Sequence, residues 1–151
     1  MRSGRSSERA NPRAIGVVEL VLCILLALAA GASFAGATAD GWLFAVGAIA
    51  VVDALIAMEL SRRAFRLARV GRSTPGEEKS IGWVAAAAFL MTVLTIPLFF
   101  VGIAVGSRNV PAATVIVFLL NVVVLLAGAR LIRAARVLSV TPPVTPRDAA
   151  R

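Results

Sequence analysis

Four long stretches almost free of charge constrain this chain more than anything else in it. Residues 14–37 are broken only by Glu19 and residues 41–58 only by Asp53, while Ile81–Gly106 and Pro111–Gly128 carry no charge at all. A bilayer core about 30 Å thick takes about 20 consecutive apolar residues of helix to cross. Helices of soluble cores rarely run that long without a polar face. The expectation is an all-α integral membrane protein with transmembrane spans at 14–37, 41–60, 81–106 and 111–130, arranged as two sequential helical hairpins. Apolar residues make up 59% of the chain, well above the 45–50% or so of soluble domains.

The connections divide by charge. The tail 1–13 holds Arg2, Arg5, Arg9 and Arg13; the segment 61–80 holds Arg62, Arg63, Arg66, Arg69, Arg72 and Lys79; the chain beyond 128 holds Arg130, Arg133, Arg136, Arg147 and Arg151. The two remaining turns hold only Arg108. Basic residues mark cytoplasmic loops, so both termini and the central loop are expected in the cytoplasm. A net charge of +8 would suggest nucleic acid if it were spread over a soluble surface. Confined to membrane-flanking segments it reads instead as a topology signal, and the bilayer with anionic headgroups becomes the expected partner, with no nucleic acid. The excess of arginine over lysine resembles the coding bias of a GC-rich bacterial genome, so the expected location is a bacterial cytoplasmic membrane.

In "ELSRRAFRLARV", residues 59–70, Arg62, Arg66 and Arg69 fall at i, i+4 and i+7 with Arg63 beside them. Segment 61–80 is therefore read as a basic helix extension followed by a turn-rich linker. The same device recurs at Arg130, Arg133 and Arg136, giving a second extension over 131–140 and then a disordered, Pro-rich tail over 141–151. These seven arginines are the lipid-headgroup candidates, since snorkelling side chains near anionic headgroups contribute about 1 kcal/mol each. "IGVVEL" at 15–20 is echoed by "IGWVAA" at 81–86, and "RLARVGRSTP" at 66–75 by "RAARVLSVTPP" at 133–143. Each half would be a hairpin with a basic tail, a weak parallel repeat.

Polar residues inside the spans are the functional candidates. Asp53 lies nine residues before Arg62 and Asn121 nine before Arg130. At 1.5 Å per residue both should lie roughly 13 Å inside the cytoplasmic boundary, level with each other. Thr92 and Thr95 should fall near the same layer, and Glu19 shallower. Ala50 and Ala57 flank Asp53, and Gly16, Cys23 and Ala27 flank Glu19, so both acids should point into helix seams. In one reading a protonated Asp53 bonds Asn121 or a threonine and glues the bundle, while Glu19 pairs with a cytoplasmic arginine. In the other, Asp53, Glu19, Thr95 and Asn121 form an ion or substrate path. Gly102 and Gly106 in "GIAVG" have GxxxG spacing and are candidates for helix packing.

The single cysteine, Cys23, and the absence of histidine exclude Cys/His metal clusters, a Ser-His-Asp triad and a Cys-His dyad. No metal or other cofactor is expected, and an enzyme is not. The expected function is a non-enzymatic accessory, scaffold or regulatory module, alone, as a homo-oligomer or within a larger membrane complex. The alternative is a small proton- or ion-coupled transporter or channel. Residues 14–37 exceed the 7–15 apolar residues usual in a signal peptide and contain Glu19. N-terminal sequencing of the purified protein should therefore recover residues ahead of the "AGA" at 35–37; a new terminus just after it would mean cleavage.

Overall fold

A computed structural model describes residues 11–140, so the tails before and after them, with the disorder expected over 141–151, lie outside the described residues. The described chain forms four helices and no strands: α1 (Pro12–Gly36), α2 (Trp42–Val70), α3 (Pro75–Ala104) and α4 (Asn109–Val140). Each is long and apolar enough to cross a membrane. Four such helices are those of a multi-pass membrane protein.

Local chemistry sets the helix ends. Asn11 caps α1, its side-chain oxygen accepting from the Arg13 N–H at 3.0 Å, and Pro12 follows in the first turn, where its missing N–H costs nothing. α2 stops at Gly71, whose φ of 66° lets its N–H reach back to the Leu67 carbonyl. α3 stops by the same logic at Gly106, with φ 71°. There the Ser107 N–H bonds the Gly102 carbonyl and the Gly106 N–H bonds Ile103, both at 3.0 Å. This pair of bonds satisfies carbonyls that would otherwise be left open at the helix end. Ser107 then caps the next helix, its hydroxyl accepting from the Val110 N–H at 3.1 Å.

The helix bounds depart from the sequence expectation in one informative place. The linker after α2 shrinks to residues 71–74, because α3 begins at Pro75 rather than at 81. Thr74 is extended, as the residue before a proline prefers, and Pro75 is fit for a first turn. Glu77 and Glu78 in that turn complement the helix dipole. The polarity of "GEEKS" suggested a solvated linker; here it is the polar start of a helix. α4 also runs unbroken from Asn109 through the basic segment expected as an extension.

α1 packs mainly on α2 and α3 mainly on α4, while α2 and α4 also touch across the middle; α1 and α3 are not neighbours. α2 is the most enclosed helix, with 44% of its most apolar window buried against 17% for α3. Its buried face is rich in small residues, Gly47, Ala50, Asp53, Ala54, Ala57, Ser61 and Ala64, set between Leu43, Val46, Leu60 and Leu67. Two contacts fix the antiparallel register with α1. The Ser61 hydroxyl donates to the Gly16 carbonyl at 2.9 Å, and at the other end the Phe34 ring lies over Gly47, which has no room for a Cβ. α2 and α4 run parallel, held by Asp53 with Asn121 and by Leu60 against Gly128. Outward-facing Leu28, Phe44, Leu55, Phe89, Phe100 and Leu126 are exposed, as lipid-facing side chains are. Trp42, at the start of α2, and Trp83, in the early part of α3, are exposed as well.

Two glycines on these seams should respond oppositely to alanine. At Gly102 a Cβ would meet Val110 and Pro111 at 2.8 Å, whereas at Gly128 it would find ordinary contact with Leu60 at 3.5 Å. Gly102→Ala should therefore cost about 1–3 kcal/mol through overpacking. Gly128→Ala should be neutral or stabilising by up to about 1 kcal/mol from helix propensity. Thermal unfolding in detergent measures both.

Candidate functional site

The intramembrane polar residues occupy two levels. At the first, the Asn121 side-chain amide donates to Asp53 Oδ2 at 2.6 Å, joining α4 to α2. Both residues are buried, and Asp53 Oδ1 and Asn121 Oδ1 have no hydrogen-bond partner. The contact of Gly102 with Val110 and Pro111 sets the α3 register so that Thr92 is near the level of Asn121. The threonine hydroxyls are engaged elsewhere: Thr92 donates to the Ala88 carbonyl at 2.9 Å and Thr95 to the Thr92 carbonyl at 2.7 Å. Thr114 likewise donates to Val110 at 2.7 Å. So the bond across the bundle runs between Asp53 and Asn121, and Thr95, though buried, spends its proton on its own helix.

At the second level stands Glu19. It belongs to the buried face of α1 with Ile15, Gly16, Leu22, Leu26 and Ala30, and it is 0% exposed. Neither carboxyl oxygen has a hydrogen-bond partner. The arginine partner expected for it is not there among the described residues. Geometry explains why: Glu19 faces inward, while Arg13, one and a half turns earlier, is exposed. Leu22 and Leu26 continue the same face, Leu26 at about the level of Asp53 by the α1–α2 register. The two acids are therefore separated by apolar packing rather than joined in one polar cluster.

The basic end of the bundle is the third feature. The start of α1, the end of α2, the start of α3 and the late part of α4 meet there. Ten cations gather at this end: Arg13, Arg62, Arg63, Arg66, Arg69, Arg72, Lys79, Arg130, Arg133 and Arg136, against the glutamates Glu59, Glu77 and Glu78. Three pairs form. Arg63 holds Glu59 at 2.8 Å and also donates to the Ser80 hydroxyl at 2.6 Å; Arg66 meets Glu77 at 3.2 Å and Arg136 meets Glu78 at 2.8 Å. The other seven cations, Arg62, Arg69, Arg130 and Arg133 among them, are exposed and make no ion pair among the described residues. Glu59, Arg62, Arg63, Arg66, Thr74, Glu77 and Ser80 line a cleft of about 340 Å³ between α2 and α3.

Sequence reasoning treated all seven candidate arginines alike and passed over the glutamates that divide them. Glu59 with Arg63 is an i, i+4 pair legible on any helix, but Glu77 and Glu78 find arginines of other helices, which spacing alone does not reveal. Of the glycine pair, Gly102 is buried against the start of α4, whereas Gly106 lies beyond the helix as its left-handed cap with open space around it. The two do not share a packing face, because the helix ends between them.

Searches against protein-family models, curated proteins and solved structures found no match to this chain. Among the described residues no group of three His, Cys, Asp or Glu side chains could hold a metal ion.

The Asp53–Asn121 bond predicts a specific pattern of coupling. Asn121→Leu alone strands a buried carboxyl and should destabilise by about 1–3 kcal/mol. The double variant Asp53→Leu with Asn121→Leu should recover much of that loss, because removing both partners is nearly neutral. Unfolding of the four proteins of this cycle in mixed micelles should give a coupling of about 0.5–2 kcal/mol.

Proposed function

We propose that this protein is a non-enzymatic membrane module that spans the bilayer four times, in two successive hairpins with both termini in the cytoplasm, and serves as an accessory, scaffold or regulatory subunit. Its basic end is held against anionic lipid headgroups on the cytoplasmic side of a bacterial membrane. The carrying observation is the sorting of charge along the bundle: among the described residues, seven exposed cations without an ion pair stand at one end, and only Asp40 and Arg108 at the other. Each cation near an anionic surface is worth about 1 kcal/mol, so the set fixes both orientation and depth. The three paired arginines have a different task. Arg66 with Glu77 and Arg136 with Glu78 tie α3 to α2 and α4, which keeps the start of α3 in place.

A path for ions through Asp53 and Glu19 has weaker support. It needs polar groups between the two levels, and the α1 face between them is Leu22 and Leu26, both buried. The repeat of the two halves fits the parallel course of α2 and α4, each ending in an arginine-rich segment. Assembly with a second copy or with other membrane proteins remains part of the proposal, on the side of the large exposed apolar surface.

Replacing Arg62, Arg69, Arg130 and Arg133 with glutamine tests the anchor. The variant should retain much less phosphatidylglycerol through detergent purification than the parent protein, with phosphatidylcholine unchanged. A reporter fused after residue 72 should also lose part of its cytoplasmic signal. Equal phosphatidylglycerol retention with unchanged reporter orientation would defeat the anchor.

A further inference from the structure

The two buried acids of this bundle differ in one respect that separates their roles. Asp53 accepts a hydrogen bond from Asn121 across the α2–α4 contact, whereas Glu19 is wholly buried and neither of its oxygens meets a donor. A buried polar group without a partner is costly even when neutral, and an isolated charge is far more so. Glu19 is therefore not glue, since it bonds nothing. The carboxyl is wholly enclosed, and it needs a small positive species to complete it.

The surroundings fix what that species is. α1 packs on α2 and α4 only. By register the buried groups at the level of Glu19 are Ala57, Leu60, Ser61 and Ala64 on α2, with the Ser61 hydroxyl spent on the Gly16 carbonyl, and Val124, Ala127, Gly128 and Leu131 on α4. No charged or titratable group faces it from either helix. Arg62 and Arg130 are exposed, Glu59 is engaged with Arg63, Asp53 is about two turns further in, and on α1 itself Cys23 is one turn on. The nearest other oxygens, the Gly16 carbonyl and the Ser61 hydroxyl, are one turn away and bonded to each other, too few to give a metal cation its coordination shell. A proton needs none.

Access is one-sided. Glu19 is seven residues from Pro12 and seventeen from Gly36, which is about 10 Å of helix toward the basic end and about 25 Å toward the other. One turn toward the basic end lies the Gly16 carbonyl, already bonded to the Ser61 hydroxyl. In the opposite direction come Leu22 and Leu26.

We propose that Glu19 is a proton-binding site that exchanges with water at the basic end of the bundle and not with the opposite end. The carboxyl O–H bond breaks to release the proton to that water and forms again on its return. Losing the proton leaves an unpaired carboxylate in an apolar seam, so the first turns of α1 must part from α2, admitting water. The site thus couples proton concentration on the basic side to the packing of α1, without carrying protons across.

The full-length protein in vesicles of phosphatidylglycerol and phosphatidylcholine allows a direct test with dicyclohexylcarbodiimide, which enters apolar regions and modifies protonated carboxyls there. Mass spectrometry should find the adduct on Glu19, and Glu19→Gln, a neutral isostere, should fold and lose it. In vesicles sorted by orientation, raising the pH on the side of the arginines should diminish labelling, while raising it only on the other side should not. Hydrogen exchange in residues 12–22 should quicken with the same pH rise in the parent protein and stay slow in Glu19→Gln. No adduct at any pH, an adduct insensitive to pH, or equal sensitivity from both sides would each overturn the proposal. Should Glu19→Gln fail to fold, the labelling and its sidedness in the parent protein still decide.

Discussion

Helices in lipid gain little by burying apolar surface against one another, because acyl chains are as apolar as leucine. What they gain is close contact, and the bundle depends on the one helix built to allow it. α2 presents Gly47, Ala50, Ala54, Ala57 and Ala64 to its neighbours, so α1 and α4 can both approach its backbone. The Phe34 ring over Gly47 and the Ser61 bond to the Gly16 carbonyl follow from that approach. So does the Asp53–Asn121 bond: a side chain as short as aspartate reaches asparagine on another helix only where the backbones are near. α3 buries small residues too, Ala88, Thr92, Thr95 and Gly102, but fewer of them. It is correspondingly the most exposed helix, and its polar start is held by ion pairs to α2 and α4 instead.

Much of this was legible in the sequence, for identifiable reasons. Hydropathy over a window of fixed length reports a spanning helix because the bilayer sets the length. Counting residues from the arginines put Asp53 and Asn121 at one depth because α2 and α4 end in similar basic segments, and the structure brings the two side chains into contact. The same counting could not tell which side of the helix each acid faces, nor what stands opposite. It therefore supplied Glu19 with an arginine partner that the inward direction of its side chain does not permit. The start of α3 was misplaced because polar residues after a proline fit a loop and a helix's first turn equally well; the glutamates' partners decide, and they sit on other helices. GxxxG spacing misled at Gly106 for a related reason. Two glycines four apart share a face only if the helix continues through both, and here the second ends it.

The arginines show how one residue type serves two purposes at one boundary. Arg63, Arg66 and Arg136 lie against glutamates, and partly exposed ion pairs of this kind contribute little individually. Their effect is geometric, since each joins specific turns. Among the described residues their seven neighbours keep their charge facing outward, free to respond to the membrane surface. A cluster counted as a single patch would overstate the charge available to lipid by the three cations already matched.

The contrast between Asp53 and Glu19 bears on how small membrane bundles tolerate acids at all. Both lie on buried faces flanked by small residues, and by composition alone they are interchangeable. Asp53 sits where two helices run parallel at close range, so a partner from a corresponding position on α4 is available, and the acid becomes part of the packing. Glu19 sits where α1 packs on the later part of α2, and its buried neighbours there are alanine, leucine, valine, glycine and Ser61. The Ser61 hydroxyl already donates to the Gly16 carbonyl, and among the described residues nothing donates to Glu19. An acid kept in such a place is completed from outside the fold, and the short, hydroxyl-bearing route toward the basic end is the side from which completion comes.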